Sequence, residues 1–93
     1  MYYVYVLLSK PDKNWFYVGF SEDLRRRFKE HNSGIVSSTK MKWPFTLVYY
    51  EAYLNKTDAL IREKNLKTHQ QRDFLKDKIR NSLSGFGTKL KKE

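Results

Sequence analysis

The sequence predicts a small α/β domain of the α+β kind, with three strands and three helices in the order ββαβαα. Three observations carry that prediction. Residues 2–8, 15–18 and 45–53 are runs of β-branched and aromatic residues, the composition of strands. The stretches between and after them carry helical spacing of apolar residues and are opened or closed by capping residues, Gly or Pro. The chain has 93 residues, enough for one hydrophobic core and too few for two.

Each element follows in order. Tyr2-Tyr3-Val4-Tyr5-Val6-Leu7-Leu8 is apolar or aromatic on both alternating sets, which predicts a strand covered on both faces. Pro11-Asp12-Lys13-Asn14 is turn chemistry, and Trp15-Phe16-Tyr17-Val18 completes a hairpin that Gly19 is expected to end. Ser21 is the expected N-cap of a first helix, with Glu22 and Asp23 in its first turn where the helix dipole favours negative charge. That helix should run to about Asn32, with Gly34 at its exit and a polar, basic loop from Ile35 to Lys42. Pro44 introduces the third strand, residues 45–53. Asn55 is placed to cap a second helix reaching about His69, with Asp58 positioned for a capping box. A third helix is expected from about Arg72 to Leu83, with Phe74, Leu75, Lys78 and Ile79 on one broad face, before Ser84-Gly85-Phe86-Gly87 breaks it.

Composition narrows the function. Nineteen Lys and Arg against ten Asp and Glu leave a net charge of +9, a field that concentrates polyanions and speeds their encounter. Nucleic acid is the expected partner, and charge alone fits RNA as well as DNA. There are no cysteines, so disulfides, thiolate zinc sites and cysteine nucleophiles are excluded. No apolar run approaches the ~20 residues that span a bilayer. Residues 2–8 also lack the basic segment that opens a signal peptide. The expectation is a soluble, cytoplasmic protein that uses no membrane.

Several side chains sit where packing alone would not put them. At ~100° per residue, Leu24, Arg27, Phe28 and His31 share one side of the first helix, while Arg25 and Arg26 point away. An inward arginine is costly unless an anion meets it. It either pairs with a carboxylate of the fold, or snorkels to the edge, or binds a phosphate. On the second helix Ala59, Glu63 and Leu66 share a face, with Leu60 and Lys67 beside it. Glu63 then either pairs with Lys67 or Arg27, or holds a divalent cation whose other ligands are substrate phosphate and water. Tyr3 and Tyr5 share a side of the first strand, and Tyr17 closes the second; each can be a half-buried core residue with a wet hydroxyl. His31 and His69 have no metal-ligand spacing between them.

Together these residues resemble the GIY-YIG nuclease family, in its short stand-alone bacterial form. Tyr3-Val4-Tyr5 corresponds to the first motif and Tyr17-Val18-Gly19 to the second. The basic helix Ser21 to Asn32, with its Arg and His, and the segment Arg62-Glu63-Lys64-Asn65-Leu66-Lys67 follow in the family's order. The match covers roughly residues 2–70. It departs at Tyr3, where the family usually has Gly, and at Val18, where it has Ile. The late asparagine of many members has a candidate in Asn81, whose surroundings do not match.

The resemblance implies a three-stranded sheet with the first strand central and helices packed around it. It implies Tyr5 and Tyr17 as the motif tyrosines, Arg27 as the phosphate-contacting arginine, His31 as the helix histidine, and Glu63 as the ligand of one Mg²⁺ or Mn²⁺. Arg25, Arg26, Lys40, Lys42 and Lys67 are the expected nucleic-acid contacts. The implied activity is endonucleolytic hydrolysis of DNA directed by structure or damage, as in repair or recombination. Residues 1–83 would form the nuclease domain and 84–93 a basic, flexible tail. The competing reading is a non-catalytic nucleic-acid-binding module, in which aromatic strands stack bases and basic flanks track the backbone.

Overall fold

The computed structural model of the chain describes residues 1–68, 73 and 76–81. It contains β1 (Tyr2–Ser9), β2 (Phe16–Ser21), α1 (Leu24–Asn32), a 3-10 turn (Lys40–Lys42), β3 (Phe45–Tyr53) and α2 (Lys56–Leu66). Residues 73, 76–78, 80 and 81 are helical and mark the third helix. His69, Arg72, Phe74, Leu75 and Leu83, together with the expected tail 84–93, lie outside the described residues. Among the described residues no helix is long and apolar enough to cross a membrane.

The sheet is antiparallel with strand order β2-β1-β3, so the first strand is central as the resemblance implied. Its residues Val4 to Leu8 are at most 1% exposed, because β1 is paired along both edges and covered on both faces. Strand alternation sorts the sequence into two layers. Val4, Val6, Leu8 and Val18 face α2 and the third helix, where they pack with Ala59, Leu66 and Ile79. Tyr5, Leu7 and Phe45 face the other way, towards α1, and pack with Trp15, Tyr17, Leu24, Phe28 and Leu47. A bulge between Val6↔Tyr49 and Leu7↔Leu47 gives β3 one extra residue, Val48.

Four local expectations are corrected. Gly19 does not end β2; it pairs with Tyr5 in mid-strand, and the ladder continues to Tyr3↔Ser21. Because the strand runs on, Ser21 is its last residue and α1 begins later. The N-cap is Asp23, whose side chain accepts from the Arg26 amide at 3.1 Å, and no acidic residue lies in the first turn. The loop 35–42 contains the 3-10 turn and is anchored at its end by Ser9 Oγ donating to the Lys42 carbonyl at 2.7 Å. The second helix stops at Leu66. Asn55 caps it as expected, accepting from the Thr57 and Asp58 amides, and Gly34 takes a positive φ of 76°.

α1 is fastened to β3 by Asn32, whose amide oxygen accepts from Phe45 N at 2.6 Å while its Nδ2 donates to Phe45 O at 3.2 Å. α2 is fastened by charge. Arg62 donates from Nε and Nη2 to the two carboxylate oxygens of Glu51 at 2.8 and 2.9 Å, a bidentate pair. The Tyr49 and Tyr53 hydroxyls each donate to the same carboxylate at 2.5 Å. Burial alone would raise the Glu51 pKa, but Arg62 and the two hydroxyls hold it down to about 2. Tyr53 is pushed up to about 12 by burial and by the neighbouring carboxylate.

A depressed folded-state pKa contributes stability that is present above the unfolded value of 4.5 and lost as pH falls through about 2. The carboxylate is therefore expected to contribute on the order of 3 kcal/mol at neutral pH. Denaturant titrations of wild type and Glu51→Gln between pH 7 and 2 check this. The wild type should lose that stability across the window while the variant, weaker at pH 7, shows a shallower slope; equal slopes would remove Glu51 from the account.

Candidate active site

The face of the sheet under α1 gathers four of the five expected catalytic residues. β1 supplies Tyr5 and β2 supplies Tyr17, two positions before the glycine that pairs with Tyr5. α1 supplies Arg27 and His31 one turn apart, as the helical spacing predicted. The two tyrosine rings lie 6.3 Å apart, and His31 sits against both, 5.7 Å from Tyr5 and 5.2 Å from Tyr17. Trp15 stacks on Tyr17 and tilts against Phe45, which in turn meets the His31 ring edge-on.

Gly19 makes this cluster possible. A Cβ there would fall inside the Tyr5 phenol and come within 2.9 Å of the Tyr17 ring. The Tyr5 ring therefore lies across bare backbone, and its hydroxyl reaches His31 Nε2 at 2.8 Å. On the far side of the imidazole, Nδ1 lies 2.8 Å from Thr39 Oγ1. His31 is 0% exposed and Thr39 1%. Thr39 had no marker in the sequence, where it reads as one more polar residue of a basic loop; only the fold brings it under the histidine.

Burial pushes the His31 pKa down to about 4, and the positive charge of Arg27 pushes the same way against a smaller opposing effect of Glu30. The ring is neutral at physiological pH, with one N–H and one lone pair. It thus donates one of its two hydrogen bonds and accepts the other, so Tyr5, His31 and Thr39 form a directional chain with two allowed senses. Burial pushes the Tyr5 hydroxyl up to about 12, while the nearby Arg27 guanidinium pulls against that rise.

Arg27 is neither sealed in the core nor free. Its side chain is 36% exposed and pairs with Glu30 at 2.9 Å, not with Glu63. His31, by contrast, has no surface through which to touch a phosphate. Glu63 stands on α2, which packs on the opposite layer of the sheet, and its side chain is 21% exposed with Lys67 Nζ 3.2 Å from Oε2. Of the expected nucleic-acid contacts, Arg25, Arg26 and Lys40 are exposed. Lys42 is half-buried and pairs with Asp12 at 2.8 Å, and Lys67 is the partner of Glu63.

Known proteins resemble this chain over most of its length. The model of the GIY-YIG catalytic domain matches residues 1–78. A UPF0213 protein of Staphylococcus epidermidis is 36% identical over 73 residues, 77% of this chain and 89% of that protein. One of Streptococcus pneumoniae is 35% identical over 89 residues, 90% of this chain and 88% of that protein. Among solved structures, the solution NMR structure of a UPF0213 protein from Bacillus halodurans superposes with a TM-score of 0.50 at 33% identity, covering 81% of this chain and 82% of that one.

Two outcomes follow from the geometry. The His31 ring, followed by NMR through a pH titration, should stay neutral down to about pH 4; an inflection near 6.5 would mean the ring is solvated and the chain to Thr39 open. Gly19→Ala should cost about 1–3 kcal/mol in denaturant unfolding, the usual cost of overpacking. It should also shift the Tyr5 and His31 ring resonances; a variant as stable as the wild type with unmoved rings would show that the close approach is not needed.

Proposed function

The chain belongs to the GIY-YIG family of the nuclease superfamily, and on that premise we propose that it is a divalent-metal-dependent endonuclease that hydrolyses DNA phosphodiester bonds. The observation that carries this reading is the meeting of Tyr5, Tyr17, Arg27 and His31 on one face of the sheet. We place it in the cytoplasm, acting on structured or damaged DNA in repair or recombination. Nothing in the cluster offers the set of base-edge contacts that a sequence-specific enzyme needs.

The donor set fits a hard cation held mainly by substrate. Among the described residues no group of three or more His, Asp or Glu could hold a metal by itself. Glu63 is half-buried, and it pairs with Lys67, an exposed lysine that can give way. Glu63 would hold one Mg²⁺ or Mn²⁺, which when bound neutralises charge at the scissile phosphate and leaving oxygen.

The chain's own residues supply the rest. Arg27, always charged and forked, turns from Glu30 to the phosphate and stabilises the charge that develops on it. A base must reach the attacking water, and Tyr5 is 1% exposed with its hydroxyl bonded to His31. Tyr17, the half-buried member of the pair, is therefore the better candidate to take that proton. Tyr5, His31 and Thr39 act behind it as a neutral hydrogen-bonded support that fixes the orientation of the rings. Arg25, Arg26 and Lys40 track the flanking backbone.

A cleavage assay on single-stranded, nicked, branched and supercoiled DNA with Mg²⁺ or Mn²⁺ tests the proposal. Glu63→Gln should abolish cutting and leave binding almost intact. Arg27→Ala should slow cutting by about 10²–10³-fold and Tyr17→Phe by about 10²–10⁴-fold. Salt-sensitive binding with no cutting by the wild type on any substrate would leave a binding module instead. A Tyr5→Phe variant slower than Tyr17→Phe would move the base to Tyr5.

A further inference from the structure

A cleft opens beside the tyrosine cluster that the proposed chemistry does not use. It holds about 490 Å³, within the range of about 300–1,000 Å³ typical of sites for small organic groups. Its floor is Tyr3 and Tyr50 of the sheet, its apolar wall is Leu24, Phe28 and Leu47, and Glu22, Asp23 and Arg25 form the rim at the start of α1. Tyr3 and Tyr50 meet edge to face, with centroids 6.1 Å apart and planes 60° apart, so the two rings form an open corner. Tyr50 is 54% exposed, so its ring is open to a partner.

We propose that this cleft takes one unpaired nucleobase of the bound strand, next to the phosphate held at Arg27. The inference rests on the reading above that this face of the sheet receives a nucleic-acid backbone. Position argues for it first. Tyr50 lies directly across from Tyr5 in the β1–β3 register, and Tyr3 is two residues before Tyr5 on the same face. That separation is roughly 6.6 Å along the strand, within reach of a neighbouring nucleotide. Chemistry argues for it second. A base needs an aromatic face to stack on, apolar walls, and acceptors for its exocyclic amino groups. Tyr50 and Tyr3, then Leu24 and Phe28, then the Glu22 carboxylate supply these in turn. The acidic rim disfavours a phosphate inside the cleft, while exposed Arg25 is placed for one outside it. A base stacked within a duplex cannot enter, so occupation selects strands with an unpaired nucleotide at the cut.

The test measures binding with metal chelated, so that cutting plays no part. Affinity of the full chain is measured by fluorescence anisotropy for a short single-stranded DNA and for a set in which one base at a time is replaced by an abasic site. Against the wild type, removal of one particular base should weaken binding by between about fivefold and hundredfold, as for loss of one stacked base. Tyr50→Ala should weaken binding to the intact strand similarly, make the abasic scan flat, and leave affinity for a blunt duplex unchanged. Tyr50→Phe should behave as the wild type. A flat scan with the wild type, or a Tyr50→Ala protein that still distinguishes the same base, would overturn the pocket and leave the nuclease reading standing. Equal losses for duplex and single strand would also overturn it. The reverse pattern, a position-specific loss in a protein that cuts nothing, would keep the pocket and sink the nuclease reading.

Discussion

The placement of the Tyr5 ring across the bare backbone of Gly19 governs the rest of the site. With the ring there, its hydroxyl ends beside His31, and the imidazole ends beside Thr39. Three hydrogen-bonding groups from β1, α1 and the segment before the 3-10 turn are thereby fixed in one line without a buried polar atom left over; among the described residues none lacks a partner. Asn32, the next residue of α1, performs the complementary task, holding the helix to the first residue of β3 through both its donor and its acceptor. The helix that bears Arg27 is thus pinned at the histidine and at its last residue.

The two layers treat charge differently. Under α1, burial keeps both partners of the central hydrogen bond neutral at pH 7, Tyr5 by raising its pKa and His31 by lowering it. The ionised groups there stand at the rim. Under α2, a full ion pair is half-buried, and it survives because Glu51 receives four hydrogen bonds from Arg62, Tyr49 and Tyr53. Arg62 is the neighbour of Glu63, so the clamp that holds α2 to β3 also sets the turn of helix on which the carboxylate of interest stands.

Much of this was legible in the chain. The strand runs, the helix order, the Asn55 cap and the shared side of Leu24, Arg27, Phe28 and His31 follow from periodicities that tertiary contacts did not override. What escaped depended on contacts distant in sequence. Gly19 read as a strand end because glycine usually interrupts a strand, and only its pairing with Tyr5 shows why none but glycine fits there. Ser21 read as a cap because the true strand length was hidden behind that glycine. Glu51 and Arg62 are eleven positions apart on different elements, and no local pattern joins them. Thr39 and the Tyr3–Tyr50 corner belong to the same class, since cross-strand and loop-to-helix partners leave no periodic trace.

The strand order also bears on synthesis. β1 is the innermost strand and the first made, yet its outer partner begins at Phe45 and ends at Tyr53, opposite Tyr2. A nascent chain can close the β1–β2 hairpin early, but one edge of β1 then stays open until β3 has emerged. During that interval Val4 to Leu8 offer unpaired amides and bare apolar side chains to any extended neighbour. The fold therefore asks most of its cellular surroundings before β3 arrives, and a ribosome paused between the two strands would leave that segment on display.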